Sequence, residues 1–445
     1  MEYRINMPPG AARIIRVLNG AGFTGYVVGG CVRDSVMGRE PKDWDITTSA
    51  SPEQVKKLFK RTVDTGIAHG TVTVLTDGDS FEVTTYRVDG KYSDGRHPDS
   101  VRFVTELRED LARRDFTINA MAYNDADGLV DEFGGLEDID RRVIRCVGEA
   151  KERFTEDALR MMRALRFGAQ LGFEIEENTF DAIRELAHTI EKISAERVRE
   201  ELTKLLISDN PGQVLRLCET GLSKYIFPQL DEMLVCEQNT KFHCYTVGYH
   251  TVKVVESVGA TVALRYAALL HDVGKLYTKT TIDGVDHFYG HAKVSALFAE
   301  KFMQKLKFDN ATTELVKLLV THHDSRIKNM GSVRRLVGAV GAEHVEELLD
   351  LMYADLAGKS DYARSRTEAL DRLAQDMRQV VRDGECVKLK DLKISGRDLM
   401  EAGFKPGPGM GRILNALLEA VMDDPAKNDK EILMSMARGM DIQGV

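Results

Sequence analysis

YVVGGCVRDSVMGREPKDWDITTSA, residues 26–50, reads as a strand, a glycine turn, a helix and a second extended run. Tyr26-Val27-Val28 is β-branched and aromatic, and VRDSVMG beyond the glycine pair has helical character. Gly29 and Gly30 carry no Cβ, so their backbone N–H groups can approach a polyphosphate near a helix N-terminus. Asp43-Trp44-Asp45 follows shortly after. On an extended strand alternate residues share a face, so both carboxylates are expected to point one way with Trp44 buried behind them. Two such carboxylates repel unless a cation lies between them, an arrangement suited to Mg²⁺ held for in-line phosphoryl or nucleotidyl transfer. An isolated D-x-D is more often two solvated acids, and the context is what argues otherwise. Glu82, in the later run FEVTTYR, reads either as a third carboxylate of that set or as an exposed strand residue.

Outward from this stretch, residues 1–148 mix β-branched runs (YVVGG, TVTVL, FEVTTYR, VIRCV) with helical segments, the pattern of an α+β head with a small mixed sheet. From about Phe154 the 3–4 spacing of apolar residues is almost wholly helical. With 445 residues, about three domains are expected from length. The divisions we read are a head at 1–148, a neck at 149–230, a third domain at 231–358 and a helical tail at 359–445. The net charge of −9 argues weakly against an RNA partner, but local basic clusters run the other way, such as Arg160, Arg163 and Arg166. MEYRINMPPG has no apolar core for a secretory signal, and the apolar run ending at Leu270 is short and interrupted by Arg265. Six cysteines are scattered without a C-x-x-C pair. A cytoplasmic protein without a membrane span is expected.

GGCVRDSVMGREPKDWDITTSA, AHGTVTVL, FEVTTYR and RRDFTINAMAYN, in that order, resemble the head of class II tRNA nucleotidyltransferases, the bacterial CCA-adding enzymes and poly(A) polymerases. The resemblance implies metal ligation by Asp43 and Asp45, nucleotide contacts from Gly30 and Arg33, and sugar or phosphate contacts from Arg114 with Asp115. It also implies CTP and ATP as substrates and tRNA as the partner. Read alone, Arg113-Arg114-Asp115 is equally a surface ion-pair cluster.

FTEDALRMMRALRF places Asp157 three residues before Arg160, with Arg163 and Arg166 continuing the spacing along one helical face. An exposed i,i+3 ion pair is the plain reading. The family carries this E-D-x-x-R pattern and uses it to recognise the incoming base. The chemistry is intelligible without the family, because cytosine and adenine each set an amine donor beside a ring-nitrogen acceptor, whereas uracil and guanine set a carbonyl beside an N–H. A carboxylate next to a guanidinium matches the first pair and mismatches the second. Glu196-Arg197 and Glu200 read as bracing of the neck. Asp94, Gly95 and Arg96, followed by His97-Pro98, read as a mobile loop, which in the family accompanies addition of the terminal A.

Seven of the eleven histidines fall between His243 and His323. His250, His271-Asp272 and Asp355 on successive helical segments are the donors a divalent metal needs to activate water, and the spacing resembles the HD phosphohydrolase superfamily. His291, His322 and His323 are expected to bind phosphate or a second metal. In the tail, ISGRDLMEAGFKPGPGMGRILNALLEAV reads as a turn for an RNA phosphate or as a plain helix corner. The function expected is template-independent CCA addition to tRNA. The rivals are partial CC or A addition, poly(A) synthesis, or an HD phosphodiesterase whose head binds RNA.

Overall fold

The structure, a computed structural model, describes residues 3–76, 78–90 and 101–441, and the chain divides into two compact units, Met1–Pro228 and Gln229–Val445. The loop expected at Asp94, Gly95 and Arg96 lies outside the described residues.

The first unit begins with α1 (Pro9–Gly20), β1 (Gly25–Val28), α2 (Gly30–Val36), β2 (Ile46–Thr48), α3 (Pro52–Leu58), β3 (Thr62–Gly66), β4 (Thr71–Leu75) and β5 (Ser80–Thr85). A two-stranded ribbon of β6 (Arg87–Asp89) and β7 (Val101–Phe103) leads to α4 (Leu107–Ala112), β8 (Met121–Asn124) and β9 (Gly128–Asp131). The sheet order is β3-β4-β5-β2-β1-β8-β9, antiparallel except for the parallel pair β2–β5. Central strand β1 is buried along its whole length because both of its faces are covered. Val27 joins Ile46, Val72 and Val83 against Ile14 and Leu18 of α1, while Val28 and Tyr26 pack with Leu111, Ala120 and Ala122 on the other side.

The glycine turn is as expected. Gly29 has φ 82°, and a Cβ there would lie 3.1 Å from Nη1 of Arg114, so glycine is required by backbone conformation and by close approach together. Asp43-Trp44-Asp45 is not part of a strand. It runs into β2, and the Asp45 carbonyl accepts from the Val28 N–H at 3.0 Å, which ties the segment's end to the sheet. Trp44 packs on the core as expected.

The head closes with α5 (Gly135–Arg141) and β10 (Val143–Ile144), and then come α6 (Ala150–Glu156), α7 (Leu159–Leu171), β11 (Glu174–Ile175), α8 (Glu177–Leu186), α9 (Ala195–Leu206), α10 (Arg216–Glu219) and α11 (Ser223–Ile226). β10 falls in the VIRCV run read as a strand, and its parallel partner β11 is a strand inside the region read as almost wholly helical.

The second unit runs α12 (Gln229–Val235), α13 (Val247–Ser257), α14 (Val262–Leu270), α15 (Lys275–Thr278), a hairpin of β12 (Thr280–Ile282) and β13 (Val285–His287), α16 (His291–Lys305) and α17 (Asn310–His322). It continues with α18 (Met330–Val340), α19 (Val345–Ala357), α20 (Asp361–Arg364), α21 (Thr367–Arg382), α22 (Gly396–Glu401), α23 (Pro408–Asp423) and α24 (Lys430–Asp441). The hairpin turns on Asp283-Gly284, both at positive φ, a D-G signal legible in the sequence. The tail has its own core of Leu399, Ile413, Leu417, Val421 and Leu433. No helix among the described residues is long and apolar enough to cross a membrane.

Candidate functional site

Asp43, Trp44, Asp45 and Glu82 line one cleft of about 630 Å³ in the head, with Lys42 and Asp79 at its margin. The register explains the meeting: Ile46 pairs with Val83 in parallel, so one residue earlier Asp45 comes level with Glu82. The carboxylates crowd one another. Desolvation by the protein packed around it raises the Asp45 carboxyl, with Glu82 and Asp43 pushing the same way and Arg114 opposing them. A cation among these oxygens would relieve that repulsion, and an all-carboxylate donor set fits a hard ion such as Mg²⁺.

Behind the cleft, Arg114 is aimed by Asp110, a residue the sequence reading missed. Fully buried on α4, Asp110 accepts from Arg113 Nη2 at 2.7 Å, Arg114 Nη2 at 3.3 Å and Thr47 Oγ1 at 3.1 Å. Burial raises its carboxyl, but Arg114 and Arg113 outweigh that and hold it below the usual range. The D-x-x-R-R spacing of residues 110–114 was the available signal.

Asp115 points away from Arg114 into the neck. It accepts from Arg163 Nε at 2.7 Å and from the Phe116 N–H at 2.9 Å. Burial pushes the Asp115 carboxyl up, but Arg163 and Arg160 pull it down to about 2. Arg33 donates to Asn119 Oδ1 at 2.7 Å and to Asp34 Oδ1 at 2.8 Å. Arg33, Arg163 and Arg166 surround the Phe167 ring at 5.1, 5.3 and 4.0 Å. Arg166 is partnered by Glu201 at 3.0 Å, yet burial and the repulsion of Arg163 lower its guanidinium to about 10. This is a buried cationic knot, not the solvated face that the 3-residue spacing also allowed.

Asp157 and Arg160 do not share a helical face. The chain breaks between α6 and α7, with Asp157 extended at φ −140° and ψ 105°, and its Oδ1 accepts from the Leu159 N–H at 3.0 Å at the start of α7. Its partner is Arg197 of α9, at 2.8 and 3.3 Å, in a fork. Arg160 bonds Glu156 at 2.6 Å and the carbonyls of Arg153 and Arg113 at 3.2 and 3.0 Å. Arg197, read as bracing, thus holds the carboxylate expected to read the base.

In the second unit, two trios of ligand atoms converge: His250, His271 and Asp272, and Asp272, His291 and His323. His250 Nε2 lies 3.3 Å from His271 Nε2 and 3.0 Å from Asp355 Oδ1, and His291 Nε2 lies 3.3 Å from His323 Nε2. Each of the four Nδ1 atoms faces a backbone carbonyl, of Gly358, Ala268, Phe288 and Val320, at 2.7–3.0 Å. Each Nδ1 therefore carries the proton, and each Nε2 presents a lone pair to its neighbour. Facing lone pairs repel, whereas ligands on one tetrahedral ion with bonds of about 2.05 Å stand about 3.4 Å apart. The donor set thus fits divalent ions. Asp272 divides its oxygens, Oδ2 toward His250 and His271 at 3.4 and 3.2 Å, Oδ1 toward His291 and His323 at 3.4 and 3.8 Å. Burial raises its carboxyl, and the Lys275 ammonium, 2.7 Å from Oδ2, opposes this and helps hold it well below the usual range. Gly274 makes the second trio reachable: a Cβ there would collide with the His291 carbonyl at the start of α16. His322 stays outside both trios, beside Ser325 and a separate pocket of about 360 Å³. It ends α17 one residue before His323, so the two rings leave the helix in different directions.

The chain matches three family models: the poly(A) polymerase head domain over residues 25–145, the "Probable RNA and SrmB- binding site of polymerase A" over 172–234, and tRNA nucleotidyltransferase domain 2 over 287–437. It is 36% identical over 441 residues to the CCA-adding enzyme of Ligilactobacillus salivarius, covering 96% of this chain and 95% of that enzyme. The chain belongs to the CCA-adding enzyme family. The family member of Lactobacillus delbrueckii is 38% identical over 425 residues, covering 94% and 95% of the two chains. Among solved structures, the Bacillus stearothermophilus CCA-adding enzyme in complex with CTP superposes with a TM-score of 0.73 at 30% identity, covering 98% of this chain and 100% of that one. The Thermotoga maritima CCA-adding enzyme complexed with tRNA shares the fold, with a TM-score of 0.59 at 22% identity.

Proposed function

We propose that this chain completes the 3′ end of tRNA by template-independent CCA addition, transferring CMP and AMP from CTP and ATP in the cytoplasm. The observation that carries the reading is the shared cleft of Asp43, Asp45 and Glu82 in a chain related along nearly its whole length to CCA-adding enzymes. Asp43 and Asp45, with Glu82, would hold Mg²⁺, which would supply charge neutralisation at the triphosphate and polarisation of the α-phosphate. Gly29 and Gly30 offer backbone N–H groups to the phosphates, while Arg114, aimed by Asp110, and Arg33 supply positive charge at fixed positions. Asp157 accepts from the exocyclic amine of C or A, and Arg160 donates to the ring nitrogen. Arg160 must exchange its present carbonyl partners to do so. Six free thiols and no disulfide support the cytoplasmic assignment. The four domains of this reading are the head at 1–148, the neck at 149–230, an HD domain at 231–358 and a tRNA-contacting tail at 359–445.

The test is to incubate the protein with tRNA ending at the discriminator base, in C or in CC, with each NTP singly and together, and to sequence the 3′ ends. All three substrates should finish in CCA. Runs of A, or products halted at CC, would favour poly(A) synthesis or partial addition.

The facing imidazoles favour a second reading for the other unit: His250, His271, Asp272 and Asp355, with His291 and His323, would hold divalent ions that would supply an activated water for phosphoester hydrolysis. The two sites use separate metals on separate folds, so His271→Ala with Asp272→Ala should abolish hydrolysis and spare nucleotide addition.

A further inference from the structure

Beside the His/Asp cluster lies a patch that neither activity uses. The rings of Phe242 and Tyr362 meet edge to face, 5.5 Å apart at 61°. Lys241 Nζ lies 4.5 Å from the Tyr362 centroid, and the Arg366 guanidinium lies 5.1 Å from that of Phe242. Arg366 Nη2 also reaches the Tyr362 hydroxyl, at 3.4 Å, so this cation sits toward the hydroxyl edge of the ring. Tyr362 is 43% exposed, and Lys241 and Arg366 are exposed as well. Both cations hydrogen-bond the Tyr362 hydroxyl, and among the described residues neither forms an ion pair with a carboxylate. Two cations drawn together over the same rings without a counter-charge make a local field suited to an anion.

The patch is tied to the cluster by the chain itself. The Ser360 N–H donates to the Phe242 carbonyl at 3.0 Å, and Ser360 Oγ donates to the Lys241 carbonyl at 2.7 Å. Ser360 follows Lys359, whose ammonium bonds Asp355 Oδ2 at 2.5 Å. On the other strand of contact, Phe242 precedes His243, whose ring centroid is 5.8 Å from that of His250 and whose Nε2 is 3.3 Å from Lys275 Nζ. Internal cation–π contacts alone would explain the stacking, at a gain of about 0.5–1 kcal/mol each on an exposed surface. They leave two exposed cations without a carboxylate partner among the described residues, on chain segments joined to the His/Asp cluster.

We infer that Lys241, Phe242, Tyr362 and Arg366 form a nucleotide-docking platform, on which a base stacks while its phosphate is drawn past the cations toward the His/Asp cluster. Aromatic faces accept any base, and the cations follow its phosphate. Resting on the hydrolytic reading above, this names the substrate class as ribonucleotide phosphoesters. In the step, a water oxygen forms the new bond to phosphorus, the bond from phosphorus to the ribose oxygen breaks, and a water proton ends on that oxygen.

Photocrosslinking of the full chain with 5-iodouridine 3′-monophosphate, mapped by mass spectrometry, tests the platform. The expected crosslinks fall on Phe242 and Tyr362. A short oligoribonucleotide with the same 3′ end distinguishes an RNA terminus from a free mononucleotide by which of the two crosslinks more strongly. Labelling confined to residues 1–228, or none above the unirradiated control, would overturn the proposal. In kinetics, Tyr362→Ala with Phe242→Leu should raise KM for uridine 3′-monophosphate about tenfold. The same variant should leave kcat/KM for glycerol 2-phosphate within about twofold, and Tyr362→Phe should keep the parent KM. Equal loss on both substrates would mean a merely structural role. If the parent hydrolyses neither substrate, the hydrolytic reading fails while the crosslink still decides the platform.

Discussion

The head cleft and the His/Asp cluster each gather donor atoms that fit a cation, and they differ in nearly every physical respect. In the head, Asp43, Asp45 and Glu82 line a cleft open to solvent, where protein packed around Asp45 still desolvates its carboxylate and its neighbours repel it. In the second unit, His250, His271, His291 and His323 are buried, each facing a backbone carbonyl through Nδ1, and they converge with buried Asp272 at ligand spacing. The first is a site that its substrate's phosphates would complete, as suits Mg²⁺, which keeps much of its shell for phosphate and water. The second is preorganised and nitrogen-rich, as suits a tightly held transition metal. An open oxygen site goes with turnover of a charged substrate, and a closed imidazole site with a resident ion.

The contrast can be broken most forcefully at Asp43. Asp43→Ala should lower single-turnover CMP addition about a thousandfold with the fold intact, since the triphosphate charge loses its ion. Phosphoester hydrolysis and bound metal in the second unit should be unchanged, and a rate within about threefold of the parent would remove the cleft from the chemistry. Glu82→Gln should cost less, because two carboxylates remain.

Next in size is base selection. Asp157→Ala should cut the preference for CTP and ATP over UTP and GTP by about 5- to 150-fold, the worth of one bidentate base contact. Competition with all four NTPs on a tRNA primer measures it, and an undiminished preference would show that Asp157 does not read the base. Smaller again is a pH effect on the knot behind the cleft. The folded Asp115 carboxyl at about 2 lies below its ordinary value, so the unfolded chain binds more protons between the two. That contribution is fully present above about pH 4, is lost as pH falls toward 2, and amounts to about 2 kcal/mol. Denaturant unfolding at pH 5 and pH 3 should show the slope in the parent and its disappearance in Asp115→Asn. The smallest effect is a count: His291→Ala with His323→Ala should reduce the transition metal bound after gel filtration from about two ions per chain to about one, by elemental analysis.

Local pattern carried much of this into the sequence. The strand–glycine–helix reading of residues 26–36 follows from periodicity, the grouping of His250, His271 and Asp272 is what the resemblance to HD phosphohydrolases implied, and the structure has both. What stayed hidden is non-local. Asp157 sits in a run without glycine or proline, so nothing local marks the helix break at this position, and its partner Arg197 is 40 residues away. The union of Asp45 with Glu82 depends on a parallel pairing of β2 with β5 that no local pattern specifies. His322 and His323 were indistinguishable as neighbours in a sequence, but a helix end separates them by direction.

The most direct test sets the two sites against each other on one substrate. tRNA ending at the discriminator base is incubated with CTP, ATP and Mg²⁺ and either Asp45→Ala or His271→Ala with Asp272→Ala, and the 3′ ends are sequenced. The account predicts unextended tRNA from the first variant and complete CCA ends from the second. CCA ends from Asp45→Ala, or unextended tRNA from the correctly folded double variant, would contradict it.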